Sequence, residues 1–95
     1  MILAQLSVFP IGDSTSLSKY VKKGMEVIKA SGYHFEIGGM STCIEVPDLD
    51  ALFALVKKVH QAHLDAGAQR ISIDLKVDDR RDKKATIQTK RNAVK

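Results

Sequence analysis

The adjacent glycines Gly38-Gly39 constrain the fold of this chain more than any other sequence feature. Short apolar and β-branched segments lie on both sides of them, in the stretch YHFEIGGMSTCIEV at residues 33–46. This pattern is typical of two antiparallel strands joined by a tight turn. Because glycine adopts positive φ without a Cβ clash, we expect positive φ in this turn. The small polar and acidic residues that follow lie beside backbone that a ligand can approach closely: Ser41, Thr42, Cys43 and Glu45.

Strict alternation of apolar residues predicts two further strands, at residues 2–9 and 69–77. One face of each strand is wholly apolar, with Ile2, Ala4, Leu6 and Val8 in the first and Ile71, Ile73, Leu75 and Val77 in the last. The opposite faces are mixed, with Leu3, Gln5, Ser7 and Phe9 in the first and Arg70, Ser72, Asp74 and Lys76 in the last.

Apolar residues at three- and four-residue steps predict helices over residues 14–30 and 48–66. Asp48 is the expected N-cap of the second helix, and Gly24 in the first is expected to pack closely against the sheet. A more polar third helix is predicted over residues 79–94. The candidate N-caps of the first helix are Ser14, Thr15 and Ser16.

The order strand, helix, strand, strand, helix, strand, helix predicts an α+β fold of the ferredoxin-like, split βαβ type (βαββαβ) with an added C-terminal helix. We expect one domain over residues 1–95, with residues 79–95 as its basic C-terminal helix. The apolar strand faces would pack under the helices. If the hairpin keeps register, the mixed face also carries His34, Glu36, Cys43 and Glu45. A face of this mixed character suits self-association around a wet pocket.

Charge is concentrated in the tail. The chain has a net charge of +4, but residues 79–95 hold 7 Lys/Arg and 2 Asp, whereas residues 1–78 have a slight acidic excess. Such a tail suits contact with nucleic acid or simply a solvated helix, and we favour the second because no aromatic residues are interleaved. The single cysteine excludes an intrachain disulfide and fits a reducing compartment, so we expect a cytoplasmic protein. We also expect that it does not enter a membrane, because no apolar stretch is long enough to cross one.

No pattern of residues supports catalysis or a metal site. Cys43 has no neighbouring base to activate it, and we interpret it as structural. The three-residue step from His60 to His63 can bind zinc, but no third ligand is apparent, and a packing or surface role is favoured. Glu45 remains open between a ligand contact and an ion pair with Lys76 or Arg70.

The sequence resembles the small thiamine-binding protein family, relatives of the YkoF-like binders of thiamine and hydroxymethylpyrimidine. The resemblance rests on the strand ending in Phe9-Pro10, the segment FEIGGMST at 35–42, Glu45, GAQRI at 67–71 and KVDDRRD at 76–82. It implies a ferredoxin-like subunit, dimers paired into homotetramers, and a pocket for thiamine or its pyrimidine moiety.

The function that follows is non-catalytic binding of thiamine or its hydroxymethylpyrimidine moiety, in a pocket on the sheet face near a subunit interface, with no cofactor. Carboxylates and hydroxyls would contact the pyrimidine edge or the thiazolium charge, and apolar side chains would cover a ring. The alternatives are a regulatory or structural oligomer with another small ligand, and nucleic-acid binding through the tail. The candidate ligand-binding residues are Ser7, Phe9, Phe35, Glu36, Met40, Ser41, Thr42 and Glu45.

Overall fold

The computed structural model describes residues 1–12 and 17–94. Its elements are β1 (Ile2–Pro10), α1 (Leu17–Ala30), β2 (Phe35–Ile37), β3 (Thr42–Val46), α2 (Leu49–Asp65), β4 (Ile71–Asp78) and α3 (Ile87–Ala93). The strands form an antiparallel sheet in the order β2-β3-β1-β4. The ferredoxin-like prediction with a C-terminal helix is confirmed. The candidate caps Ser14, Thr15 and Ser16 lie outside the described residues.

Helices α1 and α2 cover one face of the sheet, and the hydrophobic core lies between these helices and the sheet. Burial of these apolar side chains is the main favourable contribution to folding. The cluster comprises Ile2, Ala4, Leu6, Ile28, Ile44, Val46, Leu52, Leu55 and Val59. The apolar face of β4 is covered less than its alternation predicts. Leu75 packs against the core, but Ile73 and Val77 stay 38% exposed because the helices lie mainly over β1 and β3.

The opposite face of the sheet, called the open face below, has the composition predicted. Cys43 lies opposite both Gln5 and Glu36, and Glu45 lies opposite Leu3. Since residues opposite one another share a face, the expected register of the hairpin is confirmed. Strand β4 adds Ser72, Asp74, Lys76 and Asp78 to the open face.

The β2–β3 turn differs from the expected two-residue reversal. Ile37 pairs with Thr42, so the loop spans residues 38–41, and the Gly38 N–H donates to the Ser41 carbonyl at 2.8 Å. Positive φ at these glycines was the wrong expectation, because the described glycines with positive φ are Gly12, Gly32 and Gly67. A longer loop reverses the chain without left-handed residues. The glycine at 38 serves close approach instead, since a Cβ there would lie 2.9 Å from the Ser41 oxygen.

Gly24 allows two helices to approach each other. A Cβ at this position would lie 3.3 Å from His63 Cε1 and 3.5 Å from Val59 Cγ1, both on α2. The expectation of packing against the sheet was therefore wrong: the neighbour is the second helix. The propensity cost of glycine inside α1 is offset by this helix–helix contact.

Helix α3 begins at Ile87, not at Asp79 as predicted. Arg80 donates to Asp82 and Arg81 to Asp79, and each pair is separated by two residues. Residues two apart do not face each other on a helix, so these pairs belong to a non-helical segment. Thr86 then caps the short helix through a reciprocal capping box with Thr89.

Asp48 caps α2 as predicted, and its replacement tests the assignment. Its carboxylate accepts from the Ala51 N–H at 2.8 Å. We expect Asp48→Ala to lower the free energy of unfolding by about 1 kcal/mol, the usual loss for an N-cap. Urea unfolding followed by circular dichroism measures this, with the exposed mid-helix Lys57→Ala as control. Equal midpoints for the two variants would contradict the assignment.

Candidate functional site

The sheet has a notch beside the second half of β1. The last β1–β3 pair joins Leu6 to Thr42, whereas β1 continues to Pro10 with β4 alone beside it. The residues from Ser7 onward therefore have no β3 neighbour, and the turn at residues 38–41 lies at this vacant edge. At such a gap, a space on the helix-covered side of the sheet and a space on the open face can border the same residues.

A first cavity, the inner cavity, lies on the helix-covered side of the notch. It has a volume of ≈ 260 Å³ and extends between α1, the β2–β3 turn and α2. Its walls are mainly apolar, with a few polar groups. Besides residues of the notch, the side chains that matter for its chemistry are Tyr20, Met25, Thr42 and His63.

A second space, the outer groove, lies on the open face on the other side of the notch. It has a volume of ≈ 690 Å³ and carries charged groups of both signs, Asp74 and Lys76. Gln5 Nε2 donates to Ser41 Oγ at 2.8 Å and fixes the turn against β1. Three residues line both spaces: Ser7, Met40 and Ser41. The two spaces therefore share a wall at the notch.

His63 is the most unusual polar residue of the inner cavity. It is 1% exposed, and its ring stacks on Tyr20 with the centroids 5.8 Å apart. Its Nδ1 lies 2.9 Å from the Val59 carbonyl oxygen, while Nε2 has no hydrogen-bond partner among residues 1–12 and 17–94. Buried polar atoms are nearly always partnered, so this atom calls for an explanation.

Glu36 and Glu45 hold α3 against the open face. Glu45, 8% exposed, accepts from the Ile87 N–H at 3.4 Å, and Arg91 donates to Glu36. His34 Nε2 lies 3.8 Å from a carboxylate oxygen of each glutamate. The partners of Glu45 are thus His34 and the first turn of α3, in place of the Lys76 or Arg70 considered from sequence.

The eight candidate ligand-binding residues divide into groups. Ser7, Met40 and Ser41 line both spaces, Phe9 lines only the outer groove, and Thr42 lines only the inner cavity. The remaining three are engaged elsewhere: Phe35 packs against the core, and Glu36 and Glu45 contact α3.

Sequence reasoning considered His63 only as a zinc ligand, favoured a packing or surface role for it, and did not include it among the ligand-binding candidates. The available signal was its position: it continues the apolar stripe of α2 that Leu52, Leu55 and Val59 define. A polar ring on a buried apolar stripe needs hydrogen-bond partners, either from the protein itself or from a bound molecule. Only the three-dimensional arrangement reveals that one nitrogen has none.

Other kinds of site find little support in the part of the chain that the structure describes. Residues 1–12 and 17–94 contain no group of three or more His, Cys, Asp and Glu side chains able to hold a metal ion. Within the same ranges, no helix has the length and apolar character needed to cross a membrane. Cys43 is a half-buried free cysteine on the open face.

Comparison with known proteins places the chain in a family. The sequence model of the family described as thiamine-binding protein matches residues 4–95. An UPF0045 protein of Methanothermobacter thermautotrophicus is 46% identical over 96 residues, covering 100% of this chain and 97% of the relative. The crystal structure of protein MJ1052 from Methanocaldococcus jannaschii has a TM-score of 0.88 at 38% identity, covering 98% of this chain and 94% of that one.

The chain belongs to the thiamine-binding protein family. A more distant structure, that of a Thermotoga maritima protein provisionally described as acting in thiamine biosynthesis or salvage, has a TM-score of 0.82 at 21% identity. It covers 98% of that chain and 99% of this one, and at this identity it supports the fold alone.

The anchor of α3 gives a prediction about pH. Lys90 donates to Asp78 at 2.5 Å, and this bond holds the pKa of the Asp78 carboxyl below its usual value. A lowered folded-state pKa means that the contact stabilises the docked helix above the ordinary carboxyl pKa, and that this contribution is lost as pH falls through the folded value.

We expect Lys90→Ala to raise the pKa of Asp78, because both the hydrogen bond and the neighbouring charge are removed. NMR titration of the side-chain carboxyl carbon of Asp78 measures it, and Lys57→Ala serves as the charge-matched control. An unchanged midpoint in Lys90→Ala would mean that α3 does not dock through this pair.

Proposed function

We propose that this protein binds thiamine or its hydroxymethylpyrimidine moiety without catalysing a reaction on it. Family membership supports the ligand class, and the notch supports the place. Thiamine consists of an aminopyrimidine and a cationic thiazolium joined by one carbon. A mainly apolar cavity and a charged groove that meet at one turn suit a ligand with two such unlike halves.

The volumes favour a division of the ligand between the two spaces. Pockets for drug-sized ligands begin at about 300 Å³, and the inner cavity holds ≈ 260 Å³. It therefore suits a single substituted ring. A two-ring ligand would continue through the notch into the outer groove, which is larger at ≈ 690 Å³.

The outer groove has groups suited to a thiazolium. Asp74 offers a carboxylate to the positive charge, and Phe9, 41% exposed, offers an aromatic face. The hydroxyls of Ser7 and Ser41 at the notch are placed to contact the polar substituents of the ligand. Met40 is 92% exposed at the tip of the turn, and its flexible side chain can fold over a bound ring.

In this proposal Glu36 and Glu45 act on the site indirectly. Both are bonded to α3, which covers the part of the open face beside Leu3. The outer groove lies further along β1, from Gln5 to Phe9. The two glutamates thus fix the helix that flanks the groove, and we do not assign them a ligand contact.

We rank nucleic-acid binding through the tail below this proposal, because four of the tail's basic residues have acidic partners. Arg80 and Arg81 each bond to an aspartate of the same segment, and Lys90 and Arg91 bond to Asp78 and Glu36. Basic residues whose charge is already paired contribute little to binding phosphates.

We further propose a homo-oligomer, with dimers paired into tetramers and the open face covered by a second copy. The support is the mixed character of that face, where Phe9 is exposed beside Asp74 and Lys76. Size-exclusion chromatography with light scattering is expected to give four times the subunit mass. A mass of one subunit across micromolar concentrations would contradict the proposal.

Calorimetric titration with thiamine and with hydroxymethylpyrimidine tests the function, and Asp74→Asn tests the groove. We expect the variant to bind thiamine up to about fivefold more weakly, since an exposed ion pair contributes up to about 1 kcal/mol. The affinity of Asp74→Asn for the neutral hydroxymethylpyrimidine should equal that of the parent protein. Asp65→Asn, an equal charge change on α2 away from both spaces, is the matched control.

Two further results bear on the proposal. Glu45→Gln should keep thiamine binding, because Glu45 contacts α3. If millimolar thiamine and pyrimidine give neither heat nor a rise in Tm, the proposed function is refuted, because a ligand that binds only the native state must stabilise it.

A further inference from the structure

We propose that His63 Nε2 is the hydrogen-bond acceptor for the exocyclic amino group of an aminopyrimidine bound in the inner cavity, and that it determines specificity for that group. The inference rests on the proposed function for its ligand class. It proposes that the inner cavity holds the pyrimidine and that the protein recognises the edge of the ring that carries the amino group.

The first observation is an unpartnered nitrogen on the wall of a cavity. His63 is 1% exposed and lines the inner cavity, and its Nε2 has no hydrogen-bond partner. Buried polar atoms are almost always hydrogen-bonded, so an exception on a cavity-lining residue needs an explanation, and a partner from outside the chain is one. A cavity of ≈ 260 Å³ leaves room for such a group.

The second observation fixes what kind of group it must be. A neutral imidazole has one donor and one acceptor nitrogen. Because Nδ1 lies 2.9 Å from the Val59 carbonyl oxygen, which only accepts, Nδ1 carries the proton. Nε2 therefore presents a lone pair, and its missing partner is an N–H or O–H donor.

The ring is held in one orientation. Tyr20 stacks on it, with an interplanar angle of 21°. Helix α1 packs closely on its Cε1 side at Gly24, where a Cβ would lie only 3.3 Å from Cε1. An acceptor whose ring is fixed by backbone and packing loses little entropy when it binds, which favours recognition.

Thr42 supplies the complementary donor. Thr42 also lines the inner cavity, and its Oγ1 donates to the Met25 thioether at 3.9 Å, a weak acceptor. The hydroxyl can turn to a better acceptor when one arrives. An acceptor and a donor in a mainly apolar, ring-sized cavity match the adjacent amino group and ring nitrogen of a 4-aminopyrimidine, and Met25 also lines this cavity.

The test compares two probes that differ in one group: 4-amino-5-hydroxymethyl-2-methylpyrimidine and the same molecule without the amino group. We expect the second to bind at least about tenfold more weakly, because it leaves Nε2 buried and unpartnered. In His63→Leu this discrimination should disappear. His63→Gln, which restores an acceptor, should recover part of it, and His60→Gln on the same helix should keep all of it.

A second readout does not depend on how the variants fold. In the parent protein, the ¹⁵N chemical shift of His63 Nε2 should change on addition of the amino probe, while the ¹⁵N chemical shifts of the His60 ring should not. This follows because accepting a hydrogen bond changes the shielding of a bare imidazole nitrogen.

The outcomes separate the two proposals. If both probes bind equally and the His63 resonance is unmoved, the inference is overturned while pyrimidine binding stands. If neither probe nor thiamine binds, the proposed function and this inference fall together. A tenfold preference that vanishes in His63→Leu and partly returns in His63→Gln, with a shifted Nε2 resonance, supports the inference.

Discussion

The unequal lengths of β1 and β3 are the constraint on which the site depends. β1 has 9 residues and β3 has 5, so the pairing stops at Leu6 while β1 continues. Strand edges normally face a neighbour or solvent. Here part of an inner strand lacks its neighbour, and the turn at residues 38–41 fills only some of the gap. A hairpin extended by a few residues would seal the notch and separate the inner cavity from the outer groove.

The open face divides into two parts along β1. Near Leu3 it is covered by α3, and from Gln5 to Phe9 it is bare. The division follows from Glu45, because a buried carboxylate requires hydrogen-bonding partners. The Ile87 N–H supplies one and His34 lies close by, so the helix is drawn to this end of the face. The carboxylate that the sequence left open between a ligand contact and an ion pair thus holds α3 in place.

The two faces of the sheet follow from alternation alone, and even the hairpin register, which placed Glu36 and Cys43 beside Gln5, was predictable from it. Two errors arose where a residue contacts a neighbour far away in the sequence: Gly24 packs on α2 rather than the sheet, and Glu45 bonds to α3 rather than to Lys76 or Arg70. The helix start expected at Asp79 failed for a local reason, because Asp79 bonds to Arg81 in a non-helical segment. Hydrophobic periodicity predicts which face of an element a residue occupies, but not which other element packs against that face. For the same reason it placed His63 correctly on the buried stripe of α2 and gave no hint that Nε2 lacks a partner.

The position of His63 links stability to ligand. The stripe formed by Leu52, Leu55 and Val59 calls for an apolar residue, and an unpartnered buried acceptor costs about 1–3 kcal/mol. Selection for stability alone would favour leucine there, so a polar ring is easiest to explain by an interaction the free protein does not make. A ligand at 100 times its Kd stabilises a native state by about 2.7 kcal/mol. On the proposed function, occupation of the inner cavity would therefore offset a cost of this size.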